Sequence, residues 1–396
     1  MTDRCNMNQS IISTELQDLM IQWRHDFHIH PELGGHEQRT ADIVADLLES
    51  FGLDVYRKVG GHGVVGVLKC GKRQYGIGLR ADMDALAISE QNTFDYRSVS
   101  PGRMHACGHD GHMAMLLGAA KYLAEKGQFD GQAHFIFQPA EEPGVGARAM
   151  MNDGLFSRFI IDAVYGMHNM PSLPQGILAV RSGPVMACED HFEIRLNGQG
   201  THAALPHQGK DLILAGSNIV TALQSIVSRT LNPVDNAVLS VTEFIADGTT
   251  NVLPNNVILK GDARSFLPSV QEQIETSMKR IVQGIAEANG VDGHVSYSHE
   301  FAATINTDAE SVVAAEVARQ LVGEEKVLLD FPPFMASEDF GAMLQVKPGC
   351  FLFIGNGSDA EQSAGLHNPA YDFNDANLTL GAEFWARLVE TQLPIS

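Results

Sequence analysis

The stretch Met104–Met113 reads MHACGHDGHM and packs three histidines, a cysteine and an aspartate into ten residues. Thiolate, imidazole and carboxylate are all metal donors, and a loop lets Cys107 and His109, two residues apart, converge on one ion. Further donors recur along the chain: Asp82 and Asp84 in RADMDAL, the pair Glu141–Glu142 in FQPAEEPGVGARAM, His168 in GMHNMP and His367 in GLHNPAYDF. This mixture suits a borderline-soft divalent cation, zinc foremost, with manganese or cobalt as alternatives. The cysteine argues against magnesium or calcium. Singly, each residue has an ordinary explanation. Cys107 is a small hydrophobe, the glutamate pair a solvated helix start, and His105 and His112 either support a ligand from behind or are merely solvated. The metal reading rests on their joint placement.

That placement follows from the elements. Ala133–Gln138 (AHFIFQ), Ile160–Met167 (IIDAVYGM), Gln74–Ala81 (QYGIGLRA) and Gly349–Gly355 (GCFLFIG) read as buried strands. Gly111–Gly127 reads as a helix, with Asp110 as its N-cap and Gly127 as its stop. Strand–helix alternation predicts an α/β domain with a mostly parallel sheet, and such sheets bind ligands beyond the carboxyl ends of their strands. Asp82, Asp84, Glu141, Glu142, His168 and His367 all fall after predicted strands. Glu141 and Glu142, taken as neighbours on an extended segment, would point apart. From about Met186 to His299 the order becomes β-α-β-β-α-β, which predicts an inserted ferredoxin-like α+β domain. The expected division is 1–186 with 300–396 as the metal-binding catalytic domain and 187–299 as the insertion.

Composition narrows the function. The 396 residues are 44% hydrophobic and 19% charged, and 27 basic against 48 acidic residues give a formal charge of −21. Such an excess repels nucleic acid and anionic lipid, so neither is an expected partner. The first twenty residues lack a basic segment followed by an apolar one, and no apolar run approaches the ~18 residues that a membrane span needs. Five scattered cysteines suggest a reducing compartment without a disulfide framework. Together these point to the cytoplasm.

The motifs HIHPELGGHEQRT, RADMDAL, MHACGHDGHMAMLLGAA, FQPAEEPGVGARAM, GMHNMP, GTHAALPH, SEDFG and GLHNPAYDF, in this order, resemble the metallopeptidase family of aminoacylases and related carboxypeptidases. The likeness is to its amidohydrolase branch, which includes indole-3-acetyl-amino-acid, hippurate and N-acyl-amino-acid hydrolases. The resemblance implies hydrolysis of N-acyl or N-aroyl amino acids to a carboxylic acid and an amino acid. It implies two divalent metal ions per subunit (zinc or manganese, with cobalt or nickel as alternatives), held by Cys107, His109, Glu142, His168 and His367. Glu141 resembles the general base and Asp84 the aspartate that orients a ligand histidine. His202 resembles a histidine that reaches a neighbouring subunit's site and stabilises the oxyanion. Asn251 and Arg264 resemble residues that hold the substrate carboxylate, and the insertion resembles a lid through which homodimers form. Asp82 departs from the wider family, which has a metal-binding histidine there. Ala87 replaces a proline common in the branch.

Rival readings are a dipeptidase or carboxypeptidase-like metallopeptidase, a cysteine hydrolase using Cys107 with His109, and a non-catalytic binder, against which Glu141 speaks. The H-x-E…P-C-x-x-C pattern of zinc deaminases is missing.

Overall fold

The computed structural model describes residues 10–357 and 364–395. The chain divides into two compact units. The larger comprises the described residues of Met1–Gly183, Ile305–Pro332 and Ala342–Ser396, and the smaller comprises Pro184–Thr304 with Pro333–Gly341.

The larger unit is built on an eight-stranded sheet. Its order is Asp54–Val59, Gly63–Cys70, Gly131–Gln138, Gly76–Asp82, Ala163–Pro174, Gly349–Gly357, Leu178–Ala179 and Val327–Leu328. Gly76–Asp82 runs parallel to both its neighbours, and Ala163–Pro174 runs parallel to Gly349–Gly357. The first three strands in that order pair antiparallel. Gly131–Gln138, Gly76–Asp82 and Gly349–Gly357 are buried at every position. Both faces are covered, which is why they read as apolar runs rather than alternating ones. The helices His109–Lys126, Thr14–Ile29 and Asn377–Gln392 pack on one another beside the sheet.

The structure departs from two expectations. Asp110 is not the N-cap of its helix. That position is Gly108, in the left-handed region at φ 93°, and the helix starts at His109. Asp110 is unavailable for capping because its buried carboxylate binds Arg24 Nε (3.1 Å) and His28 Nδ1 (2.9 Å). The glutamate pair lies in a turn, not on an extended segment, because Ala140 has φ 51° and breaks the strand direction.

The smaller unit is a four-stranded antiparallel sheet in the order Asp292–Phe301, Cys188–Asn197, Asn256–Ser265, Ala237–Ala246. The helices Leu212–Ser225 and Pro268–Asn289 complete the β-α-β-β-α-β order. Phe192, Ile194 and Leu196 of one strand meet Ile219, Leu223, Ile274 and Met278 of the helices in its core. The helical run Leu212–Thr230 is long and apolar enough by composition to cross a membrane, although the polar residues along it hide this in the sequence. In this unit it buries Leu212, Ala215, Ile219, Leu223 and Ile226 as a core helix does.

Candidate metal centre

Asp82 closes its strand, and the glutamate turn follows the neighbouring strand Gly131–Gln138. His168 lies within Ala163–Pro174, paired with Phe353. The donors thus reach one end of the parallel part of the sheet, where such folds place ligands. Donor atoms of Cys107, His109 and Glu142 lie within 4.8 Å of one another. Cys107 Sγ is 3.3 Å from His168 Nε2, and His367 Nε2 is 3.4 Å from Glu142 Oε1. His168 and His367 are thus each joined by one short contact to the group formed by Cys107, His109 and Glu142.

Hydrogen bonds fix which ring nitrogens are free. His109 Nδ1 donates to the Asp84 carbonyl (2.8 Å), and His168 Nδ1 donates to the Asn169 carbonyl (2.7 Å). A carbonyl only accepts, so each Nδ1 carries a proton and each Nε2 is the nitrogen left to face a cation, as metal-bound imidazoles require. His112 is the opposite case. Its Nε2 accepts the Asn169 N–H (3.0 Å) and its Nδ1 donates to Asp82 Oδ1 (2.7 Å). Although Asp82, His109, His112 and His168 also form a close group, His112 has no lone pair to offer. Asp82 is occupied too, by His112 and by Arg80 Nη1 at 2.7 Å.

The donors fit a cation by their unmet valences. His109 Nε2 is buried without a hydrogen-bond partner and stands 3.9 Å from Glu142 Oε1, whose neighbour on the other side is His367 Nε2 at 3.4 Å. Burial alone would lower the pKa of His109, but Asp82, Asp84 and Glu142 outweigh it and raise it to about 10. The surroundings therefore favour positive charge at this spot. Burial, followed by Glu142, Glu141 and Asp82, pushes the Cys107 thiol well above its ordinary range. That is the reverse of what an activated cysteine nucleophile needs, whereas a nearby cation would favour the thiolate. Burial, then His112, holds His168 well below the ordinary imidazole range and so neutral.

Supporting residues fix these side chains. Asp84 Oδ2 accepts the Glu142 N–H (3.0 Å), and Asp84 Oδ1 is 3.3 Å from His109 Nδ1. Asn169 Nδ2 donates to the Cys107 carbonyl (2.6 Å), and Tyr371 Oη donates to Asn169 Oδ1 (2.6 Å). A Cβ at Gly108 would stand 2.2 Å from Asn169 Nδ2 and 2.5 Å from Tyr371 Oη, so only glycine lets the Cys107 loop pass beneath them. His367 holds a left-handed backbone (φ 61°), and its N–H donates to the Ala106 carbonyl (2.8 Å). Strained conformations of this kind persist where surrounding contacts enforce them. Arg24, His28, Asn169 and Tyr371 were not singled out from the sequence. Asn169 directly follows His168 and Tyr371 lies four residues after His367, which is the signal that was there.

Glu141 is buried in the turn, and its carbonyl accepts the Gly144 N–H (2.7 Å). The remaining candidates belong to the smaller unit. His202 is exposed. Its Nδ1 accepts the Ala204 N–H (3.0 Å), which leaves the proton on Nε2. The Ala203 N–H donates to the Asn251 carbonyl (2.9 Å), so the His202 loop is pinned to the Asn251 turn. Arg264 is held by Glu189 (2.9 Å), Asp262 (3.0 Å) and the Met335 carbonyl (3.0 Å).

Residues 78–391 match the model of peptidase family M20/M25/M40. The chain belongs to that family and is a hydrolase acting on amide bonds. It is 41% identical over 374 residues to the hippurate hydrolase of Campylobacter jejuni, which covers 94% of this chain and 96% of the relative. It is also 41% identical over 297 residues to an N-acyl-L-amino acid amidohydrolase of Geobacillus stearothermophilus, covering 74% and 80%. A solved Bacillus subtilis protein, described as a dinuclear metal binding peptidase from the M20 family, superposes with a TM-score of 0.85 at 30% identity. It covers 96% of this chain and 99% of its own.

Proposed function

We propose that the protein hydrolyses the amide bond of N-acyl or N-aroyl amino acids, releasing a carboxylic acid and an amino acid. The observation that carries this reading is the chain of short contacts linking five donor side chains, next to a buried glutamate in the turn after Gly131–Gln138. Relatives named for hippurate and N-acyl-L-amino acid substrates support the substrate class.

Cys107, His109, Glu142, His168 and His367 would hold two divalent cations, zinc or manganese, with cobalt or nickel as alternatives. When bound, these supply Lewis acidity toward the amide carbonyl and lower the pKa of the attacking water. Glu141 takes that water's proton on its carboxylate and delivers it to the leaving amide nitrogen. Asp84 keeps His109 and the Glu142 backbone in place. The Nε2–H of His202, acting from a neighbouring copy, donates to the substrate oxygen as it gains charge. Asn251 and Arg264 take the substrate carboxylate, with Arg264 preset by Glu189 and Asp262.

The smaller unit serves as lid and homodimer surface. Its edge strand Ala237–Ala246 leaves Val238, Phe244 and Ile245 exposed at 38%, 41% and 46%, the kind of edge that pairs with a second copy. The scattered cysteines, free at all four described positions, suit a reducing cytoplasm.

The test is Glu141→Gln, assayed on acetyl, benzoyl, indole-acetyl and long-chain N-acyl amino acids with metal-loaded enzyme. Metal should be retained while turnover falls ~100-fold or more. Hydrolysis at the wild-type rate would refute the assignment of the base.

A further inference from the structure

We propose that Glu37 is a positioning residue, whose buried carboxylate holds Ala140 in the left-handed conformation that aims Glu141 and Glu142 into the donor cluster. The idea rests on the functional reading above for the roles of those two glutamates. Its structural content stands apart from that reading.

Alanine seldom adopts positive φ, because its Cβ crowds the following carbonyl. Ala140 does so at φ 51°, immediately before the glutamate pair. Its N–H donates to Glu37 Oε1 at 2.7 Å, across more than a hundred residues of chain. Both residues are buried, Glu37 at 0% and Ala140 at 5% exposure. The cost of a left-handed alanine and the strength of a charge-assisted hydrogen bond are of the same order, so this one contact is enough to sustain the kink. Once kinked, Ala140 turns its carbonyl to the Gly146 N–H (3.0 Å), and the chain folds back so closely that a Cβ on Gly146 would strike the Pro139 carbonyl.

The turn is thus gripped at alternate residues. Glu37 takes the amide of Ala140, and Asp84 takes the amide of Glu142 at 3.0 Å. Glu141 stands between the two grips, so its Cα–Cβ direction is set by both. The grip itself is anchored. Glu37 directly precedes the helix Gln38–Ser50, whose N-terminus favours a negative charge. The strap leading to it is fixed by Glu32, whose carboxylate accepts the Thr40 N–H (2.8 Å) and whose carbonyl accepts the Ala85 N–H (2.8 Å). Gly34 of the same strap lies against the turn, since a Cβ there would be 2.9 Å from Pro143 Cδ and 3.1 Å from Asp84 Oδ2. A carboxylate is a costly group to bury at such a place, and burial pushes the Glu37 carboxyl above its usual range. Packing alone would be better served by an apolar side chain.

The experiment compares Glu37→Leu, Glu37→Gln, Ala140→Gly and the double variant Glu37→Leu with Ala140→Gly. Three quantities are read: zinc or manganese affinity by calorimetry, kcat and KM separately, and hydrogen exchange of the Ala140 amide in metal-free protein. In the wild type that amide should be as protected as those of the adjoining strand. Glu37→Leu should speed its exchange, weaken metal binding ~10-fold and lower kcat ~10- to 100-fold with little change in KM. Glu37→Gln keeps an acceptor oxygen and should retain most of both functions. Glycine adopts positive φ without penalty, so the double variant should recover part of what Glu37→Leu loses. The proposal is overturned by a folded Glu37→Leu with wild-type affinity and kcat, by a double variant no better than Glu37→Leu, or by Glu37→Gln losing as much as Glu37→Leu. If Glu37→Leu does not fold, a freely exchanging Ala140 amide in the wild type overturns it equally. A wild-type enzyme inert on every N-acyl amino acid would sink the hydrolase reading alone, because affinity and exchange still decide the role of Glu37.

Discussion

Replacing Asp84 by alanine isolates what its contacts with Glu142 and His109 contribute to the donor cluster. Asp84 is 1% exposed, and its carboxylate does two things: Oδ2 accepts the Glu142 N–H at 3.0 Å, and Oδ1 lies 3.3 Å from His109 Nδ1. Truncation leaves the Glu142 amide without an acceptor, a loss of about 1–3 kcal/mol. His109 is less affected, because its shorter bond runs to the Asp84 carbonyl (2.8 Å), which the substitution leaves in place. One ligand is therefore loosened and the other mostly kept. Outer partners of metal ligands typically account for 10- to 100-fold in affinity, and tenfold equals about 1.4 kcal/mol. The expected change is thus nearer ~10-fold than ~100-fold weaker binding. Competition titration against a chelator of known affinity reads it directly, and urea unfolding of the metal-free protein provides the control. Metal-free stability should move by no more than about 1–2 kcal/mol, because the lost bond is offset by removing a buried carboxylate whose Oδ1 has no hydrogen-bond partner. Unchanged affinity in the folded variant would refute the reasoning, and so would a collapse of metal-free stability that accounts for the whole loss.

Cys107→Ala should lower the bound metal per subunit measured by elemental analysis, and full stoichiometry would remove the thiolate from the ligand set. His202→Ala mixed with Glu141→Gln should regain partial activity in a verified heterodimer, since one composite site would then be intact; no regain would count against sharing between copies. Burial alone would lower the pKa of His28, but Asp110 and Glu90 outweigh it and raise it to about 9 from the ordinary 6.5. The stabilisation, about 3 kcal/mol, is complete below pH 6.5 and fades as pH rises through about 9. Urea unfolding of His28→Gln should show a flatter stability curve over that window than the wild type, and an identical slope would show that the histidine is not the source.

The strands of the sheet centre were legible because burial on both faces writes a continuous apolar run, as in Ala133–Gln138. The smaller unit's β-α-β-β-α-β order was legible from alternation in its strands and period in its helices. The candidate metal donors stood out because thiol, imidazole and carboxylate groups rarely fall together at strand ends without a task. What failed to show was the scaffolding. The role of Asp110 was misread because a first-turn aspartate looks like a cap, whereas here Arg24 and His28 reach it from a distant helix. The kink at Ala140 was invisible because nothing in its own residue type favours positive φ; it is imposed from Glu37. The return of Pro333–Gly341 to the smaller unit has no local signature either. His112 and His109 look alike in sequence, and only the direction of their hydrogen bonds separates them.

The strand Gly349–Gly357 lies inside the main sheet, flanked by Ala163–Pro174 and Leu178–Ala179, yet it is the last of the described strands in chain order. A nascent polypeptide must therefore wait on the ribosome with a gap in its principal sheet, its two flanking strands exposing edges that have no partner. Sealing of the large core and arrival of His367 are consequently late and nearly simultaneous events. Premature termination just before this strand would leave the sheet open at its middle, with the edges of Ala163–Pro174 and Leu178–Ala179 unpaired.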